Sequence, residues 1–139
     1  PWQKEVYDLA QTEPDDRTIY WYWESTGGVG KSALIKLMAY RLGAIVVSGK
    51  GADMKHGIIA AHEKSGNWPD IVIINIPRSV DGQFISYQGI EEIKDGCFFS
   101  GKYESAMVVM ASPHILIFAN EPPDESKFSA DRWRIVNIE

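Results

Sequence analysis

Gly30, Lys31 and Ser32 close the stretch Glu24-Ser25-Thr26-Gly27-Gly28-Val29-Gly30-Lys31-Ser32. A lysine and a hydroxyl behind a glycine-rich turn form the pattern G-x-x-x-x-G-K-S/T, which cradles phosphates. Backbone N–H groups of such a turn converge into a nest for phosphate oxygens, and the helix that follows adds a partial positive charge. Lys31 would reach the β- and γ-phosphates of a nucleotide, and Ser32 would offer its hydroxyl to Mg²⁺. Position 25, the first glycine of the pattern, carries Ser25. Gly27, Gly28 and Gly30 still let the backbone close around an anion, with Thr26 and Val29 between them.

A phosphate loop works with an acidic residue at the end of a buried strand, where a carboxylate holds Mg²⁺ through its water and helps to place the attacking water. The Ile/Val run Ile71–Ile76 is that strand, and its end carries Asn75, a neutral carbonyl in place of the carboxylate. Asp70, Asp81 and Glu24 are the nearby carboxylates that could compensate for Asn75, and each reads more readily as a solvated turn residue. Asn120 ends another apolar run, His114–Ala119, either as a γ-phosphate sensor or as a strand-end asparagine satisfied by its neighbours. Lys102 and Tyr103 pair a cation with an aromatic ring at the tip of an expected hairpin, which suits either a nucleic-acid strand or a solvated turn. Arg132 and Arg134 alternate along the last strand, where one could reach a neighbouring subunit's nucleotide or pair locally with Asp131.

The elements that must hold these residues follow from periodicity. Residues 1 to 12 read as a short helix with Trp2, Val6 and Leu9 on one stripe, stopped at Pro14. A strand over Arg17 to Trp23 leads into the glycine turn. The helix that follows, Ser32 to Leu42, has Leu34, Leu37, Met38 and Leu42 as its apolar face and Gly43 as its stop. A strand at Ala44–Val47, a helix at Asp53–Lys64, the Ile71–Ile76 strand and a helix over residues 86 to 94 come next. A hairpin within Phe98–Met110, the His114–Ala119 strand, a polar loop over residues 121 to 130 and a last strand at Trp133–Ile138 complete the order. Alternating strand, loop and helix give the α/β class with a mainly parallel central sheet flanked by helices.

Composition narrows the function. The 139 residues fit one domain with a real core, and 45% are hydrophobic and 24% charged. No apolar run approaches the roughly 20 residues of a membrane span, and no secretory leader opens the chain. The start at Pro1-Trp2, without an initiator methionine, reads as a segment of a longer protein. Cys97 is the one cysteine, expected to be small and buried, so no internal disulfide forms. His56, His62 and His114 do not cluster, which argues against a protein-built metal site. With a net charge of −5, the chain would touch nucleic acid through a few local lysines rather than a basic face.

Five ordered segments, RTIYWYWESTGGVGKS, IVIINIPRS, YQGIEEIKDGCFFSGKYES, HILIFAN and SADRWRIVNI, together resemble the helicase domain of replication-initiator (Rep) proteins of circular single-stranded DNA viruses. That domain is a superfamily 3 helicase within the AAA+ P-loop NTPases. The resemblance implies ATP and Mg²⁺ as cofactors, a Walker A loop at Ser25–Ser32, a Walker B strand ending at Asn75 and a motif C asparagine at Asn120. It also implies a pore hairpin carrying Lys102 and an arginine finger at Arg132 or Arg134. Residues 1–16 would be the end of an oligomerisation region, and residues 17–139 the ATPase domain. A homo-hexameric ring would hold single-stranded DNA in its pore during rolling-circle replication, in the host cell nucleus and away from membranes. The alternatives are a small-molecule P-loop kinase, for which an arginine-rich lid is wanting, and an ATP-binding assembly module whose hydrolysis is impaired at Asn75.

Overall fold

A computed structural model describes residues 1–77, 85–101 and 106–139. Helix α1 (Trp2–Ala10) precedes β1 (Ile19–Trp23), α2 (Lys31–Leu42), β2 (Ile45–Val47), α3 (Gly51–Ser65) and β3 (Ile71–Asn75). Helix α4 (Tyr87–Asp95), β4 (Cys97–Ser100), β5 (Ala106–Val109), β6 (His114–Ala119) and β7 (Trp133–Asn137) follow, with 3₁₀ turns at Glu125–Lys127 and Ala130–Arg132.

β-branched and aromatic side chains dominate β1, β3 and β6, and these strands pair in parallel in the order β2-β3-β6-β1-β7. Both faces of the sheet are covered, which explains why β6 is buried along its whole length and why its sequence does not alternate. One face, through Tyr22, Ile71, Ile73, Leu116 and Phe118, packs against Val6 and Ala10 of α1 and Leu34, Ile35 and Met38 of α2. The other, through Trp21, Val72, Ile74, Ile115 and Ile117, packs against Met54 and Ile58 of α3 and Ile90 and Ile93 of α4. The α/β class with a helix-flanked parallel sheet is as the sequence predicts. No helix among the described residues is long and apolar enough to cross a membrane.

Two local expectations are corrected. The inward stripe of α2 runs through Ile35 rather than Leu37, which is 40% exposed. Leu34, Ile35 and Met38 already fill the i, i+1, i+4 positions that meet the sheet, and Leu37 falls one position off that stripe. Cys97 is exposed, not buried. In β4 the two-residue period turns Phe98 and Ser100 inward and leaves Cys97 and Phe99 outside. They pair with Val109 and Met107 of β5, both also exposed.

Glycines with left-handed backbone stop three helices: Gly43, Gly66 and Gly96, with φ of 70°, 81° and 72°. The first fixes the turn from α2 into β2, as the sequence predicts.

Candidate functional site

The register of the sheet brings three strand ends to one edge. Trp23 pairs with Ala119, and Asn75 pairs with Phe118, so Glu24, Asn120 and Asn75 leave the sheet side by side. The Glu24 N–H donates to the Ala119 carbonyl (3.3 Å), and the Ile76 N–H donates to the Phe118 carbonyl (2.9 Å), which extends the pairing beyond the strands. Carboxyl ends of parallel strands beside a reversal of strand order are where open α/β sheets bind ligands. A cavity of about 480 Å³ lies there, lined by the glycine turn and by Lys31, Ser32, Asn75 and Asn120.

Gly27, Gly28 and Gly30 have φ of 80°, 72° and 94°, values that strain any residue with a Cβ. This is the conformational freedom that the sequence assigns to the turn. The first intrahelical bond of α2 runs from the Leu34 N–H to the Gly30 carbonyl (3.2 Å). The N–H groups of the first helical turn therefore have no partner inside the helix and carry the positive end of its dipole. With Lys31 as the first helical residue, the arrangement can hold an anion the size of a phosphate group. The Gln3 amide of α1 donates to the Val29 carbonyl (3.0 Å) and braces the turn from outside.

At the base of the turn lies a buried carboxylate. Glu24 is 0% exposed, and its Oε1 stands 2.6 Å from Lys31 Nζ. Lys31 Nζ also donates to the Ala119 carbonyl at 3.0 Å. Asn120 Nδ2 donates to the same Glu24 Oε1 at 3.3 Å. The other carboxylate oxygen accepts the Gly27 N–H and, at 3.4 Å, the Thr26 hydroxyl. The hydrogen bond from Lys31, then that from the Gly27 N–H, hold the carboxyl below its ordinary range and outweigh burial, which acts the other way.

The expected residues separate into those gathered at the cavity and those placed elsewhere. Gly27 to Ser32, Asn75 and Asn120 line it. Ser25 does not; its hydroxyl faces Glu139 Oε1 at 3.1 Å, so the departure from glycine at position 25 lies off the cavity wall. Asn120 is satisfied by Glu24, which agrees with its reading as a partnered strand-end amide and still leaves it beside Lys31. Arg132 precedes Trp133, which pairs with Ile19 at the start of β1, so it stands at the opposite edge of the sheet from the turn. Its guanidinium lies 2.8 Å from Asp95 and 3.5 Å from Glu91 and is 10% exposed. The partner considered for it, Asp131, is taken by Arg17 instead. Arg134 is exposed on β7. Lys102 and Tyr103 lie outside the described residues, as does Asp81.

Glu24 is the residue that sequence reasoning misplaced, since it reads as a solvated turn acid and is buried. Among the described residues it is the one acid lining the cavity. Asp70, the other acid considered that lies within the described residues, precedes β3 at the far edge, where its carbonyl accepts the His114 N–H. A lone acid directly after a strand as apolar as Ile19–Trp23 was the available signal. Among the described residues no group of three or more histidine, cysteine or acidic side chains could hold a metal ion. Any Mg²⁺ at this cavity would depend on ligand oxygens together with the Ser32 hydroxyl, with Asn75 behind them.

The chain is 36% identical to Para-Rep C1 of the Faba bean necrotic yellows C1 alphasatellite, over 99% of its own length and 47% of the relative's. The similarity is therefore to Rep-related proteins. Para-Rep C6 of the Subterranean clover stunt C6 alphasatellite is 34% identical over 98% of the chain and 46% of that protein. Para-Rep C10 of the Milk vetch dwarf C10 alphasatellite is 34% identical over 98% and 47%. The chain thus spans about half the length of the curated relatives it matches. No protein-family model matches it.

Proposed function

We propose that this chain is the ATP-binding motor segment of a viral replication initiator, a superfamily 3 helicase domain that moves on single-stranded DNA. The observation that carries the reading is the nest at the head of α2: three left-handed glycines, an unbonded helix start and Lys31, beside a cavity of nucleotide size. Similarity to the Para-Rep proteins over nearly the whole chain supports its setting in replication. In this reading Lys31 neutralises phosphate charge, Ser32 meets the Mg²⁺ bound with ATP, and Asn75 and Asn120 face the γ-phosphate. Arg132 lies at the far edge of its own sheet, a position compatible with service to a neighbouring subunit in a hexameric ring. To serve there it must leave Asp95 and Glu91. Lys102 and Tyr103 supply the contact with single-stranded DNA.

The test is phosphate release from ATP with and without single-stranded DNA, together with particle size by light scattering. Turnover that rises with DNA, vanishes in Lys31→Ala and accompanies a ring-sized particle is the expected result. A particle that stays monomeric with ATP and DNA together would refute the ring and the trans role of Arg132. Turnover that requires a small phosphate acceptor and ignores DNA would point to a kinase. One observation favours a second reading, an assembly module that binds ATP without hydrolysing it: the strand end that needs a carboxylate presents the neutral Asn75. Tight ATP binding with no turnover under any condition would select it.

A further inference from the structure

Glu24 has no role in the proposal above, yet it is the most strongly engaged side chain at the cavity. A phosphate entering the nest needs the Lys31 ammonium and the N–H groups of the turn. Two of those donors already serve the Glu24 carboxylate: Lys31 Nζ at 2.6 Å and the Gly27 N–H. The carboxylate is an oxyanion like the phosphate oxygens, and it reaches these donors from the same chain. It lies where little water screens it, so a phosphate beside Lys31 meets an unscreened like charge.

We propose that Glu24 is the built-in anion of this phosphate site, competing with nucleotide phosphates for Lys31 and the Gly27 N–H and thereby setting the affinity of the site. The inference rests on the nucleotide reading and adds to it a residue that sets the affinity of the site. On binding, the carboxylate yields both donors. Asn120 Nδ2, 3.3 Å from Oε1, and the Thr26 hydroxyl stay beside it, so the displaced carboxylate keeps polar partners. A cation carried with the phosphates offsets the repulsion between the two anions, so Glu24 should favour metal-bound over free nucleotide at this site.

The experiment is calorimetric titration of the chain with ATP, with Mg²⁺ and with a chelator, comparing wild type, Glu24→Gln and Lys31→Ala. Glu24→Gln keeps the shape and removes the charge. It should bind ATP about tenfold more tightly, the gain that follows from removing roughly 1.4 kcal/mol of competition. The gain should be larger without Mg²⁺ than with it. Equal or weaker binding by a folded Glu24→Gln chain overturns the proposal, because it would mean that Glu24 holds Lys31 in its productive place. If Lys31→Ala binds ATP as wild type does, the nucleotide reading itself fails, and that outcome is distinct from the first. The Gly27 amide resonance in ¹⁵N-labelled wild type gives a check that needs no variant. ATP should shift it as the N–H exchanges a carboxylate for phosphate, and a Gly27 resonance unmoved at saturation overturns the competition.

Discussion

Replacing Lys31 should destabilise the fold, not only silence the site. Lys31→Met leaves the Glu24 carboxylate 0% exposed with no cation beside it. Breaking a buried ion pair from one side costs about 3–5 kcal/mol. Lys31 keeps 15% exposure, so water can reach the gap, and the low end, about 3 kcal/mol, is the expected loss. The reciprocal change is milder. Glu24→Gln retains an acceptor for the Gly27 N–H and leaves Lys31 bonded to the Ala119 carbonyl, for a loss of about 1 kcal/mol. The double variant removes the uncompensated charge and should recover most of the Lys31→Met deficit. Urea unfolding followed by tryptophan fluorescence measures all four chains. The pH dependence carries a definite sign. Glu24 is held below its ordinary range in the fold, so its contribution is complete above the unfolded-state value and is lost as pH falls through the folded one. The gap between wild type and Lys31→Met should therefore be widest near neutral pH and close on acidification through the carboxylate range. A Lys31→Met chain within about 0.5 kcal/mol of wild type at pH 7, the range of an ordinary surface change, would refute the reasoning.

Three further outcomes are expected. On the ATPase reading proposed above, Asn75→Asp should raise DNA-stimulated phosphate release about 10- to 100-fold by placing a carboxylate where Mg²⁺ would bind, and unchanged turnover would remove Asn75 from the account. Gly96→Ala should unfold or severely destabilise the chain, because φ is +72° and a Cβ would lie 2.1 Å from the Met110 carbonyl oxygen. Gly28→Ala, with φ also +72° but nothing within 4 Å of the Cβ, should lose only about 1–2 kcal/mol of backbone strain, and thermal melts that rank the two the other way would contradict the packing described. Lys94→Met should cost about 1–3 kcal/mol, since Lys94 Nζ donates to the carbonyls of Asp15 (2.8 Å) and Pro113 (2.7 Å) from a buried position, and chemical denaturation gives the value.

Much of this arrangement was legible in the sequence because it is local. The run Ile71–Asn75 declares a strand covered on both faces, and Gly43 declares a helix end. The glycines before Lys31 declare a turn with left-handed backbone. Glu24 was not legible, because part of its enclosure comes from a distant segment: once β6 pairs with β1, its N–H donates to the Ala119 carbonyl and its carboxylate accepts from Asn120. The same holds for Arg132, whose partners Asp95 and Glu91 belong to α4 and displace the adjacent Asp131. Cys97 and Leu37 failed for a smaller reason. A one-residue error of phase in a short strand or on a helix stripe sends a side chain to the opposite face. Periodicity reveals that a face exists sooner than it reveals which residues border it.

The order β2-β3-β6-β1-β7 also governs how the chain reaches its native state. Ile19 pairs with Ile115 on one side and Trp133 on the other, so the strand that leads into the glycine turn has no neighbour until the last part of the chain is made. Such long loop closures slow folding, since their entropy is lost before any pairing compensates it. During synthesis β2 and β3 can meet early, while Ile19–Trp23 waits as an apolar segment open to mispairing. Shortening the chain before Trp133 would thus strip a partner from the strand farthest from the cut in sequence, and the glycine turn would lose part of its footing without any change of its own residues.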